Sequence, residues 1–78
     1  MYKYIVICYS IHEKAIASYD FIKEGEDPYL FMEKDARNTY DEEINGGSEA
    51  ELEIYDTSAY LSSCNKEYQW TWEVLEIA

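Results

Sequence analysis

The residues best placed to do chemistry form a row of carboxylates near the middle of the chain. In the segment EAELEI, residues 49–54, glutamate and apolar residues alternate strictly. Apolar residues at every second position are typical of a half-buried strand. The predicted strand therefore turns Glu49, Glu51 and Glu53 to one face, where carboxylates can accept charge-assisted hydrogen bonds from lysine and arginine side chains.

A second group of acids, Asp41, Glu42 and Glu43, lies just before this row. The segment from residue 41 to residue 52 begins like an EF-hand calcium loop, with oxygen ligands at its first, third and fifth positions and Gly46 at its sixth. The pattern then fails, because Leu52 occupies the twelfth position, where the loop requires a bidentate glutamate. We therefore predict no metal site and no cofactor.

The other reactive residue types do not form a catalytic motif. His12 is the only histidine and has no cysteine at metal-ligand spacing, so we expect a surface residue in a first helical turn. Neither Cys8 nor Cys64 belongs to a C-x-x-C pair, and we expect both thiols to be reduced, with a single disulfide between them as the alternative. With 17 acids in 78 residues, carboxylate pairs arise by chance. These observations predict that the protein is not an enzyme.

The net charge of −11 is unevenly distributed along the chain. Residues 1–37 carry seven acids and five bases, whereas residues 38–78 carry ten acids and one base, Lys66. Such a surface is repelled by nucleic acids and by anionic membranes. We therefore predict a basic partner, a protein or complex that binds nucleic acid, with no direct nucleic-acid or membrane contact. The oligomeric state does not follow from the sequence.

The elements that position these residues can be predicted to different extents. Residues 2–9, YKYIVICY, indicate a central strand. Residues 10–24 fit two patterns. Ser10 and Glu13 form a capping-box pair before Gly25, which predicts a helix, whereas alternation around Tyr19 and Phe21 allows a hairpin strand. We expect the helix.

The second half of the chain gives clearer signals. Asp27 and Pro28 predict the start of a helix that Asn45-Gly46-Gly47 ends. The alternative is that YLFM, residues 29–32, is extended and that the helix begins only after Asp35. Strands are predicted at 49–55 and 67–77, with a further short strand at 58–62. In the strand at 67–77, Trp70, Trp72 and Val74 share the face that should point inward, so we expect both tryptophans to be largely buried. The sequence thus predicts a single α+β domain at 1–78, a small antiparallel sheet of three to four strands packed on one or two helices (βααββ, alternative ββαββ).

A strand's rise sets the spacing of the predicted row. Residues on one face recur at about 6.6–6.8 Å, a spacing that suits a groove built to hold the phosphates of a nucleic-acid strand. Glu73 is predicted to point outward from the same sheet, and the acids at the helix end can add a second row. The predicted partner-binding residues are Asp41, Glu42, Glu43, Glu49, Glu51, Glu53 and Glu73.

In size, acidity, single α+β domain and the acidic strand EAELEIYD, the chain resembles the small inhibitors of bacteriophages and mobile elements, the anti-CRISPR and antirestriction nucleic-acid mimics. The resemblance implies a non-enzymatic inhibitor in the cytoplasm of a host bacterial cell. It would bind a basic surface of a host nuclease or surveillance complex and block access of DNA or RNA. The alternative is an acidic interaction partner, an antitoxin or regulatory subunit, that uses a tyrosine-rich interface.

Overall fold

An antiparallel sheet with a helix on one face organises residues 1–77, the part of the chain that the computed structural model describes. The spatial order of the strands is β2-β1-β5-β4-β3, so the first and last strands pair at the middle of the sheet. In chain order the elements are β1 (Tyr2–Ser10), β2 (Ala15–Lys23), α1 (Pro28–Asn45), β3 (Ala50–Ile54), β4 (Ser58–Ser63) and β5 (Tyr68–Glu76).

The predicted fold of three to four strands on one or two helices is wrong in its element count. The described residues form five strands and one helix, in the order ββαβββ. The predicted order βααββ is wrong because residues 15–23 form a strand, and the alternative ββαββ lacks one strand of the final meander. The short strand predicted at 58–62 is present as β4.

Residues 10–24, which were expected to form a helix, begin with a helix-like turn, after which the chain reverses direction. Ser10 Oγ accepts a hydrogen bond from the Glu13 backbone N–H at 3.3 Å, as a helix N-cap would. Lys14 N–H bonds to the carbonyl of Ile11, and Lys14 itself takes a left-handed φ of 57°. This turn sends the chain back along β1, so pairing with β1 overrides the local capping signal.

The helix α1 begins and ends where the sequence predicts. The Asp27 carboxylate accepts from the backbone N–H groups of Tyr29 and Leu30 at 2.9 and 3.2 Å, and Pro28 occupies the first turn. The helix ends at Asn45, after which Gly46 N–H bonds to the carbonyl of Glu42. With seven charged residues in eighteen, α1 cannot cross a membrane, and residues 1–77 contain no other helix.

The core lies between α1 and the sheet. Trp72 is completely buried there, and its indole N–H donates to a carboxylate oxygen of Asp35 on the helix at 2.8 Å. Trp70, which was expected to be largely buried, is only partly so. Both cysteines are free, with Cys8 buried on β1 and Cys64 half-buried after β4. The buried hydrophobic residues are Val6, Cys8, Ile22, Met32, Ala36, Ala59, Leu61 and Trp72.

Candidate functional site

The glutamates of β3 point away from the helix. Leu52 and Ile54 pack against the core, so the alternation of the strand turns Glu51 and Glu53 to the opposite side of the sheet, the outer face. Both are exposed. Glu49 precedes β3, and its carbonyl accepts a hydrogen bond from Cys64 N–H at 3.0 Å. The backbone on which the row stands is therefore fixed by the ladder to β4 and by this contact.

Glu73 lies on the same outer face, two strands away from β3. On β5 it pairs with Ile7 of β1 on one side and with Ser58 of β4 on the other. The strand β4 separates it from Glu53, which pairs with Tyr60. The structure thus brings Glu51, Glu53 and Glu73 to one surface, but it does not place Glu73 within the row of β3.

Two tyrosines belong to this surface and were not among the predicted site residues. The Tyr55 hydroxyl donates a hydrogen bond to the Glu53 carboxylate, and this bond raises the pKa of Tyr55. The Tyr60 hydroxyl donates to Gln69 Oε1 at 2.6 Å, which holds its ring between β3 and β5. Tyr55 continues the alternation of the glutamates and could have been found from it, whereas the position of Tyr60 depends on the strand register.

The acidic face is our name for the surface formed by Glu49, Glu51, Glu53, Tyr55, Tyr60 and Glu73. A shallow depression of about 320 Å³ at its edge is lined by Glu49, Glu51, Ser62 and Lys66, among others. Lys66, the base of the second half of the chain, therefore stands beside the row. It makes no ion pair in the described structure.

The acids at the end of α1 do not form a second row beside β3. The helix packs on the inner face of the sheet, so the sheet separates Asp41, Glu42 and Glu43 from the outward-pointing glutamates. The segment 46–49 connects the two groups around the β3 edge. A groove flanked by two parallel rows of carboxylates is therefore not present, and the row on the outer face stands alone.

The predicted site acids lack cationic partners. Among residues 1–77, the ion pairs join Glu13 to His12 and Glu33 to Arg37. None of the seven predicted partner-binding acids takes part in one. In addition, the acids at the end of α1 face the negative end of the helix dipole, and no basic residue lies in the last turn. These carboxylates are placed where they lower the stability of the fold, and within residues 1–77 no ion pair offsets that cost, although Glu53 accepts the hydrogen bond from the Tyr55 hydroxyl.

Ser10, His12 and Glu13 lie together in a cluster, and these are residue types that can form a catalytic site. Ser10 Oγ lies 3.2 and 3.3 Å from the two ring nitrogens of His12, and Glu13 lies 3.5 Å from Nε2. Ser10 is only 1% exposed, so no substrate can reach its hydroxyl. The His12 ring lies nearly perpendicular to the rings of Tyr68 and Trp70, at centroid distances of 5.0 and 5.1 Å.

The contacts of His12 give the cluster a structural role. Its Nδ1 atom lies 3.1 Å from the backbone nitrogen of Gln69, so the ring fastens the turn after β1 to the start of β5. The expectation that His12 is a surface residue of a helical turn is therefore wrong. Pairing between β1 and β5, which the sequence does not reveal, brings His12 to this position.

The segment that begins like a calcium loop is helical up to Asn45. Asp41, Glu43 and Asn45 project at helical intervals around α1 instead of converging on one point. Residues 1–77 contain no cluster of three or more side chains from histidine, cysteine, aspartate and glutamate that could hold a metal ion.

Comparison with known proteins found no matching family model, no matching curated protein and no matching solved structure.

Proposed function

We propose that this protein is a non-enzymatic inhibitor that binds, through the acidic face, a basic surface with which a host nuclease or surveillance complex holds nucleic acid. The observation that carries the proposal is a row of carboxylates, without cationic partners, on the rigid outer face of an antiparallel sheet. An anti-CRISPR or antirestriction protein of a phage, acting in the cytoplasm of the host cell, is the function that such a surface supports best.

The geometry of the row matches the proposed target in spacing and in charge. Glutamates two residues apart on a strand recur at about 6.6–6.8 Å, and successive phosphates of one DNA strand lie at a similar separation, with each base pair advancing about 3.4 Å along the helix axis. Arginine and lysine side chains that hold successive phosphates can therefore meet successive carboxylates. Tyr60, fixed by Gln69, offers a ring face to an arginine between the strands.

The seven predicted acids have different roles in this proposal. Glu49, Glu51 and Glu53 form the contact, and Glu73 extends it toward β5. Asp41, Glu42 and Glu43 lie on the other side of the sheet and act through the long-range field, which speeds the encounter with a basic surface. Substitution of the helix acids should therefore alter mainly the association rate, whereas substitution of the row should alter the dissociation rate.

The test begins with the target that an affinity pull-down from bacterial lysate identifies by mass spectrometry. Glu49, Glu51 and Glu53 are then changed together to glutamine. A second triple variant, Glu24→Gln, Glu26→Gln and Glu67→Gln, removes the same number of charges from exposed positions outside the acidic face. Loss of a carboxylate that meets a desolvated arginine costs about 2–5 kcal/mol of binding. We expect this loss for the first variant only, with competition by DNA or RNA for the same target site.

Two results would contradict the proposal. One is equal affinity of both triple variants, since net charge and not the row would then govern binding. The other is simultaneous binding of nucleic acid and this protein at one site of the target. Salt dependence separates the alternative, an antitoxin or regulatory subunit with a tyrosine-rich interface, because its affinity should change little between about 0.1 and 1 M salt, where electrostatic screening tightens from about 10 to 3 Å.

A further inference from the structure

The strand β2 leaves one edge of the sheet open. It is nine residues long, Ala15–Lys23, and pairs only with β1, so the backbone groups on its other side lack strand partners. It contains no proline, and its charged residues are Asp20 and the terminal Lys23. An exposed edge of this length is a template for pairing with another strand.

The opposite edge of the sheet is protected. The strand β3 is only five residues long, carries Glu51 and Glu53, and is packed against α1. Short length, charge and cover by a helix are the features that prevent edge-to-edge association. β2 is nine residues long, its charged residues are Asp20 and the terminal Lys23, and only Ile22 of its side chains is buried in the core, because α1 packs mainly against β1, β3, β4 and β5. The β3 edge of the sheet is therefore better protected against pairing with another strand than the β2 edge.

The outer face next to β2 is apolar and aromatic. Tyr19 is 59% exposed and Phe21 is 49% exposed, and their rings meet at a centroid distance of 5.8 Å. We call this surface the hairpin face. Its members on β2, β1 and β5 are Ile5, Ile7, Tyr9, Ile16, Tyr19, Phe21 and Leu75.

The net charge of the hairpin indicates which kind of partner can pair with the β2 edge. Residues 1–24, which include β1 and β2, carry three lysines and three acids and are neutral, whereas the whole chain has a net charge of −11. A basic partner is drawn to the acidic half and not to the hairpin. A second copy of the same hairpin meets no repulsion there, and edge pairing through β2 puts the two acidic faces at the far ends of the assembly.

We propose that two copies of this chain pair through β2, antiparallel and about a two-fold axis, to form one continuous sheet of ten strands. The register follows from the side chains. A two-fold axis at Asp20 would set two carboxylates opposite each other. An axis at Phe21 sets the two Phe21 rings together and places Tyr19 opposite Lys23 of the second copy, a favourable cation–π pair. The register irregularity at residues 16–18 lies outside residues 19–23, and the second irregularity of this pairing, between Tyr2 and Tyr4, adds its extra residue to β1 and not to β2.

The oligomeric state tests the interface. Sedimentation velocity and light scattering at about 10–200 µM should give a mass twice the 9.2 kDa of the chain. Phe21→Lys places two like charges opposite each other and should raise the dissociation constant of the dimer by about tenfold or more. The matched control is Leu30→Lys on α1, because Leu30 has the same 49% exposure but lies away from the edge. It should leave the dimer intact.

Cross-linking tests the register, including in the event that Phe21→Lys does not fold. In a Cys64→Ser background, Phe21→Cys should form an intermolecular disulfide on mild oxidation. Residues directly opposite in antiparallel strands have Cα atoms about 4.5–5.5 Å apart, which is within disulfide range. Leu30→Cys should cross-link far less at the same concentration.

Three results would overturn the proposal. A monomer throughout the concentration range excludes the dimer, and species of open-ended size indicate unspecific association of the hairpin face. Equal cross-linking of both cysteine variants shows that β2 is not the contact.

Discussion

At the scale of single residues, Cys8 shows how burial sets chemistry. It lies in the middle of β1, beneath the helix, and burial raises the pKa of its thiol to about 12, with a further contribution from the negative charge of Asp35. The thiolate is the reactive form of cysteine, so Cys8 is chemically silent at neutral pH. Cys64, half-buried after β4, is the thiol that reagents can reach.

A thiol titration checks this difference. At pH 8, the native protein should react with one equivalent of an aromatic disulfide reagent, at Cys64, and the unfolded protein with two. Rapid reaction of both thiols in the folded state would show that Cys8 is accessible. Because the pKa of Cys8 is higher in the folded than in the unfolded chain, its contribution to stability is complete below about pH 9 and is lost as the pH rises toward 12.

The pH dependence can be isolated by a matched variant. Tyrosines and lysines also titrate above pH 9, so the wild-type protein is compared with Cys8→Ala in denaturant unfolding at several pH values. The variant is less stable at neutral pH because it leaves a small cavity. Its further decline between pH 9 and 12 should be the smaller of the two. Parallel declines would contradict the assignment to Cys8.

At the scale of elements, local signals predicted structure only where tertiary contacts agreed with them. Asp27, Pro28 and Gly46 specify the ends of α1 through contacts within a few residues, and the helix has the predicted bounds. Ser10 and Glu13 make the same kind of local contact, yet the turn ends at Lys14 and the residues that follow pair with β1 as the strand β2. A capping pair therefore predicts that a helical turn begins, but it does not predict that a helix continues beyond that turn.

The end of α1 gives a prediction about stability. Asp41, Glu42 and Glu43 oppose the helix dipole, so Glu42→Gln should raise the free energy of unfolding by about 0.3–1 kcal/mol at low salt. Denaturant unfolding measures the change, which should shrink at 0.5 M salt. Glu26→Gln, before the helix, removes the same charge without this gain. A stability that is unchanged or lower in Glu42→Gln would show that the carboxylate has a stabilising contact.

In the candidate site, too, the features set by neighbouring residues could be predicted from the sequence, whereas those set by long-range contacts could not. The outward direction of Glu51, Glu53 and Glu73 could be predicted, because strand alternation is local. The separation of Glu73 from the row depends on β4 lying between them. The placement of the helix acids behind the sheet likewise depends on which face α1 covers, and a single sequence does not encode that face in any short segment.

At the scale of the whole molecule, charge is segregated. Residues 1–24, which include the hairpin of β1 and β2, are neutral, and residues 25–78 hold the whole net charge of −11. Repulsion among unpaired carboxylates destabilises the compact state. Raising NaCl from about 0.02 to 0.5 M should therefore stabilise the protein by about 1 kcal/mol, which corresponds to a rise of about 4–8 °C in the melting temperature.

A charge-matched comparison shows where the repulsion arises. The triple glutamine variant at positions 49, 51 and 53 should melt higher than the wild type at low salt and gain less from added NaCl. The triple variant at positions 24, 26 and 67 should keep most of the salt response, because those acids are more widely spread. If the melting temperature of the wild type does not depend on salt, repulsion among the carboxylates of the acidic face does not lower the stability of the protein.

The pairing of β1 with β5 has a consequence for the folding rate. Tyr4 faces Glu76 and Ser10 faces Trp70, so the two central strands come from opposite ends of the described chain. The hairpin and the later meander can each form from neighbouring residues, but the sheet is complete only after a loop of almost the full chain length has closed. The entropy of that closure is lost before the contacts that reward it are made. We expect folding on the millisecond-to-second timescale of β-rich domains, with the docking of β1 onto β5 as its slow step.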